Sequence, residues 1–222
     1  MSNDAKPSPS APKSRSERRR EDTRRRLMKA TYELIAKRGL EGLVIQDITE
    51  AADVGYGSFY NHFSSKEAIV DAVTEAVLAR GVGLYERIAA QAADEVETFA
   101  MELRACLEIS QSDPTWGWFV IRTMLSGQRI RRAIADRLQR NVEGGIKSGV
   151  FTAHDAEMAR HTVGGLLLLG TLKIVSGEVG EDYPARLVET MLHTLGVPAS
   201  RAKAALARPL PDMPTTPFTE AA

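Results

Sequence analysis

The side chains with most to offer a binding partner lie in one short stretch. Residues 45–63 read IQDITEAADVGYGSFYNHF, and Tyr56, Ser58, Tyr60, Asn61 and His62 place donors and acceptors within seven positions. Their chemistry is reversible hydrogen bonding, not bond breaking. Asn can hold adenine bidentately, and Ser and Tyr can reach a base edge or a phosphate. The usual catalytic patterns are missing: no Gly-x-Ser-x-Gly, no Gly-x4-Gly-Lys-Ser/Thr, no Gly-x-Gly-x-x-Gly after a strand and no His-Glu-x-x-His. His154, Glu157 and His161 could share a helix, but four His in 222 residues produce such spacings by chance, so no metal site is expected. Cys106 is the single cysteine, which excludes an internal disulfide and a Cys-based zinc site. No catalytic residue and no cofactor are expected.

These side chains need two short helices and a tight turn to present them. Ile45–Ala52 reads as the first helix, with Ile48 and Ala52 inward. Gly57–Phe63 reads as the second, anchored by Phe59 and Phe63 at i and i+4. The turn needs a residue that tolerates positive φ, which Asp53 or Gly55 can supply. Val54 can plug the corner. A polar-faced helix of this kind fits a DNA major groove about 12 Å wide.

The rest of the chain is patterned as helix almost throughout, and no sheet is expected. A first helix opens at Asp22 or Thr23, buries Leu27, Ala30, Thr31, Leu34 and Ile35, and ends at Gly39. Ser65 caps a long helix from Lys66 to about Gln91. Further helices fall at 94–111, 114–125, 128–148, 155–175 and 183–195, giving about nine in an all-α fold. Residues 1–16 read as a disordered tail. Residues 17–65 form a helix-turn-helix domain and 66–198 a second helical domain. Residues 199–222, with Pro209, Pro211, Pro214 and Pro217, read as a flexible tail with a frayed helix at its start.

The net charge of zero hides an asymmetry. Residues 1–66 carry 13 Lys/Arg against 9 Asp/Glu, and residues 67–222 carry 16 against 20. Arg15, Arg18, Arg19, Arg20, Arg24, Arg25 and Arg26 cluster at the start, a basic arm that suits a polyanion. The longest nearly apolar run, Val163–Leu172, is far short of the roughly 18 residues of a membrane span. With no apolar leader either, a soluble cytoplasmic protein without a membrane partner is expected.

Residues 23–70, above all VGYGSFYNHFSSKEAI at 54–69, resemble the DNA-binding domain of the TetR (tetracycline-repressor-like) family. Gly57, Tyr60, Phe63, Lys66, Glu67, Ala68 and Ile69 carry the match, with Gly42, Ile48 and Ala52-Asp53-Val54 upstream. Val44 replaces the Thr that often opens the second helix, Thr49 stands where Ala is usual, and Asp53 where Gly is usual. The resemblance implies that Tyr60 and Lys66 bind phosphate, that Gln46 and Thr49 touch backbone or bases, and that Tyr56, Gly57, Ser58, Asn61 and His62 lie at the groove. Arg24 and the basic arm then gain a role on the DNA backbone or minor groove.

The C-terminal part must be read from its own residues. The 155–175 helix is apolar nearly all round, so it needs two partners. Leu166 and Leu169, with Leu187, Met191 and Leu195 of the next helix, are the expected homodimer interface. Two-fold symmetry would place the recognition helices about 34–36 Å apart on an operator. Phe99, Cys106, Trp116, Trp118, Phe119 and Met124 are candidates to line a pocket for a small, largely apolar effector. The expected function is a repressor that binds a pseudo-palindromic operator and is released by that effector. The alternative is a helical carrier or enzyme that keeps the helix-turn-helix without using DNA. Tyr60→Phe and Lys66→Ala discriminate the two, since only the repressor should lose DNA binding.

Overall fold

A computed structural model describes residues 14–213 and Phe218. Those residues form ten helices and no strand. They are α1 (Arg15–Arg38), α2 (Ile45–Ala51), α3 (Tyr56–Phe59), α4 (Lys66–Gln91), α5 (Glu95–Ser112), α6 (Pro114–Ser126), α7 (Gln128–Lys147), α8 (Ala156–Val175), α9 (Tyr183–Thr194) and α10 (Ala199–Leu206). The all-α reading holds, with one helix more than the sequence suggested. No helix among the described residues is long and apolar enough to cross a membrane.

Two boundaries differ from expectation for local reasons. The first helix starts at Arg15, so the arginine cluster is helical. Ser14 and Glu17 form a reciprocal capping box: the Glu17 amide donates to Ser14 Oγ at 3.2 Å and the Ser14 amide to Glu17 Oε2 at 2.7 Å. The helix expected at the start of the tail after residue 198 is α10, which is packed and not frayed, with Ala202 and Ala205 buried. Arg104 of α5 donates to the carbonyls of Leu206 and Arg208, both at 2.8 Å, and so satisfies the end of that helix. Arg208 reaches Glu97 Oε2 at 3.2 Å and the Gln91 carbonyl at 2.8 Å. Pro214, Pro217 and residues 1–13 lie outside the described residues.

Other ends follow the sequence closely. Gly39 stops α1 at φ +80°, a conformation costly for other residues, and its amide bonds to the Ile35 carbonyl at 2.8 Å. Ser65 caps α4 by accepting from the Ala68 amide at 3.2 Å. Asp94, Asp113 and Asp155 cap α5, α6 and α8 in the same way.

Two main cores result. The N-terminal core joins Leu27, Tyr32, Ile35, Ile48, Phe59, Phe63, Ile69 and Val73 to Phe119 of α6, whose ring lies 4.9 Å from that of Tyr32. The C-terminal core joins α5, α8, α9 and α10 through Phe99, Leu103, Leu107, Val163, Val188, Met191, Leu192 and Leu195. Burying each of these large side chains contributes about 1.5–3 kcal/mol. Helix α6 belongs to both units, packing on α1 with one face and on α5, α7 and α8 with the others.

Candidate nucleic-acid interface and internal cavity

The turn between α2 and α3 depends on Asp53, the only described non-glycine residue at positive φ (51°). Asp tolerates that region better than most residues. Arg26 of α1 holds it there, donating to the Asp53 carbonyl at 2.5 Å and to Oδ2 at 3.0 Å. An Arg38–Asp47 ion pair ties the end of α1 to the start of α2. Neither clamp is legible from local patterning, since Arg26 and Asp53 lie far apart in the chain and Arg38 and Asp47 sit on different helices.

Helix α3 is one turn long, shorter than the sequence implied, and the chain continues through turns to Phe63. Phe59 and Phe63 are buried with rings 5.9 Å apart, which fixes this segment on the core. The intervening positions therefore face outward. Tyr56 and Tyr60 are 54% and 51% exposed, with hydroxyls 3.4 Å apart and rings edge to face at 5.8 Å. The hydrogen bond with Tyr56 raises the Tyr60 phenol above its ordinary value, so it stays a protonated donor. Asn61 is exposed and Ser58 half-buried. A Cβ at Gly57 would meet nothing within 4 Å, so this surface leaves room for a partner to approach the backbone.

The remaining predicted residues fall in distinct places. Gln46 is exposed and donates to Glu50 Oε1 at 2.9 Å. Thr49 is only 2% exposed, and its hydroxyl donates inward to the Gln46 carbonyl at 2.9 Å. That placement corrects its assignment to the DNA face: a side chain packed into the core presents nothing to a groove. Arg24 donates to the His62 carbonyl at 3.3 Å, and its guanidinium lies 4.3 Å from the Phe63 ring centroid. It braces the end of the recognition segment. Burial, then Arg20 and Arg24, lower the His62 pKa, keeping this imidazole neutral. Lys66 is half-buried at the first position of α4, where free backbone amides also favour an anion.

A cavity of about 230 Å³ lies between α5, α6, α7 and α8. Val120, Ile121, Met124, Ile134, Leu138, Leu167 and Leu168 supply most of its wall, and Arg131, Arg160 and His161 its polar part. Cys106 lines it from α5, with burial pushing the thiol up to about 12, too high for a reactive thiolate. Of the five aromatic and methionine positions singled out from sequence, Met124 reaches the cavity. Phe99 packs on Phe151 in the C-terminal core, with centroids 5.8 Å apart, and Phe119 packs on Tyr32. Trp116 and Trp118 support the N-terminal core, Trp118 lying 5.2 Å beneath the Arg122 guanidinium. The reason is the dual duty of α6: its aromatic face meets α1, and its aliphatic face meets the cavity.

A buried polar network joins the helices around that cavity. Glu102 of α5, 5% exposed, accepts from Arg137 Nε at 3.0 Å and from Asn141 Nδ2 at 2.6 Å, both on α7. The Arg137 guanidinium stacks over Tyr85 of α4, 4.7 Å from its centroid. The bond to Glu102 raises the Arg137 pKa, and burial raises that of Tyr85.

The predicted dimer residues divide in the same way. Leu169 is 52% exposed, and Leu172 and Met158 share its face of α8. Leu166 and Leu187 are half-buried. Met191 and Leu195 are fully buried in the chain's own core, which corrects their assignment to a partner surface.

Comparison with known proteins agrees with this layout. Residues 27–73 match the model of bacterial regulatory proteins of the tetR family. Residues 94–208, more than half of the chain, match the tetracyclin repressor-like C-terminal domain. The HTH-type transcriptional repressor KstR2 of Rhodococcus jostii (strain RHA1) is 27% identical over 146 residues, 61% of this chain and 72% of that protein. The HTH-type transcriptional repressor DhaR of Mycobacterium sp. (strain GP1) is 49% identical over 49 residues, 22% of this chain and 25% of its own. The structure of RolR in complex with its ligand resorcinol is 31% identical, with a TM-score of 0.62, covering 89% of this chain and all of that one. An N-terminal helix-turn-helix and a C-terminal domain both match, and the chain belongs to the TetR family of bacterial regulatory proteins.

Proposed function

We propose that this protein is a homodimeric repressor that binds a pseudo-palindromic operator and is released by a small, largely apolar effector of about one ring. The observation that carries the reading is the outward-facing set Tyr56, Ser58, Tyr60 and Asn61, held by Phe59 and Phe63 and flanked by Lys66. Anchored donors without bond-making machinery suit a groove and its phosphates. Gln46 lies at the rim, and the helical Arg15–Arg26 face extends the positive surface towards the backbone. The exposed α8 face of Met158, Leu169 and Leu172 is the proposed partner surface, with Leu166 and Leu187 at its margin.

The cavity supports the release step. RolR, a relative of matching length, holds resorcinol, a single ring. A dry cavity of about 150 Å³ accommodates benzene in another protein, so about 230 Å³ has room for one substituted ring. Helix α4 starts at Lys66, beside the recognition segment, and carries Tyr85 about five turns on, which meets the cavity helices through Arg137 and Glu102. A ligand that fits only one arrangement of α5–α8 biases α4, and with it the spacing of the two heads. A coupling of about 1–3 kcal/mol is the usual size of such an effect. The test is an electrophoretic mobility shift with operator DNA. Tyr60→Phe and Lys66→Ala should weaken the complex while sedimentation shows an unchanged dimer. Unaltered binding in both variants would overturn the assigned DNA face.

A further inference from the structure

The charge around the cavity says more about the effector than its volume does. Its wall contains no Asp or Glu. Two arginines line it, Arg131 from α7 and Arg160 from α8, and neither forms an ion pair with a carboxylate among the described residues. Arg160 is half-buried and shares a hydrogen bond with the neighbouring His161 Nε2 at 3.1 Å. Arg131 and His161 are exposed. Other arginines packed between these helices behave differently: Arg104 and Arg137 are matched by Glu108 and Glu102. The otherwise aliphatic pocket thus has two arginines and no carboxylate in its wall.

From this juxtaposition we infer that the effector is a small organic carboxylate, with its apolar body among Ile121, Met124, Ile134 and Leu168 and its anion between Arg131 and Arg160. The inference rests on the effector-released repressor reading and specifies its ligand class. A guanidinium presents paired donors that match a carboxylate, and an aliphatic wall on one side limits screening by water. A neutral ring of the same shape gains the apolar contacts but leaves both guanidiniums without an anion.

The test is calorimetric titration of the full-length protein with three matched pairs: benzoate and benzamide, phenylacetate and phenylacetamide, hexanoate and hexanamide. At least one acid should bind about tenfold or more tightly than its amide, the gain expected of one charge-assisted hydrogen bond. The double substitution Arg131→Gln and Arg160→Gln should bring that acid down to its amide, with amide binding and melting temperature unchanged. Equal affinity within every pair, no binding of any acid, or a preference that survives the double substitution would each overturn the inference. A parallel operator-release assay separates this from the parent reading. Acids that bind with the predicted preference but leave operator DNA bound would sustain the charge assignment and refute the effector role. Amides that release DNA as well as the acids do would sustain the effector role and refute the charge assignment.

Discussion

Replacing Lys66 with alanine sets the stability of the fold against the proposed function, because the two effects carry opposite signs. Lys66 is the first residue of α4 and takes part in no ion pair among the described residues. A cation at a helix N-terminus opposes the macrodipole, which costs about 0.3–1 kcal/mol, and alanine has the higher helix propensity. The variant should melt at the same temperature as the parent or slightly higher. On DNA the same ammonium is an asset. A charge-assisted hydrogen bond contributes about 1.5–3 kcal/mol, and a two-fold complex loses two of them. Taking the lower end for a half-exposed group, the loss is about 3 kcal/mol, roughly a hundredfold in Kd. The salt dependence is the sharper reading. Each phosphate contact contributes about 0.9 to the slope of log K against log salt, so losing two should flatten it by about 1.8. Fluorescence anisotropy with a labelled operator across a salt series measures both quantities, and thermal unfolding supplies the control. An unchanged slope would refute the phosphate contact. A lower melting temperature accompanying weaker binding would show that Lys66 supports the fold instead.

Three further outcomes follow from the packing and the titrating groups. A Cβ at Gly145 would lie 2.1 Å from the buried Phe151 ring, so Gly145→Ala should destabilise the protein by about 1–3 kcal/mol in denaturant unfolding. Arg137→Met strands the buried Glu102 carboxylate with Asn141 as its remaining partner, and a loss of about 3 kcal/mol is expected by the same measurement. The lowered His62 pKa means that the unfolded chain binds a proton more readily than the folded one. The stability this group contributes is full above its unfolded value of about 6.5 and is lost as pH falls through the lower folded value. Melting temperatures of His62→Gln should therefore decline less than those of the parent over that interval.

The helix-turn-helix was readable because its constraints are local. Asp53 at the turn, Phe59 and Phe63 at i and i+4, Ser65 as a cap and Gly39 as a stop each act within a few residues. The early start of α1 was also written in the sequence, as Ser14 and Glu17 three apart, but the arginine run disguised it as a solvated arm. Thr49 departs from the family expectation because its β-branched side chain takes the inner face of α2. The cavity was beyond sequence reasoning, since its wall comes from four helices. Large aromatics there fill cores, while the open space falls between aliphatic residues whose spacing differs little from that of any buried helix. Met191 and Leu195 carried the same ambiguity: an apolar stripe does not reveal whether its partner lies in the same chain.

The central claim is sequence-specific DNA binding by the surface around Tyr56–Lys66, and retention of fragmented host genomic DNA on the purified protein tests it most directly. Sequencing of the retained fragments should show a few loci sharing a short inverted repeat, and Lys66→Ala should lose them. Salt-sensitive retention without a shared sequence would leave only phosphate binding by the arginine-rich face of α1 and would contradict the account.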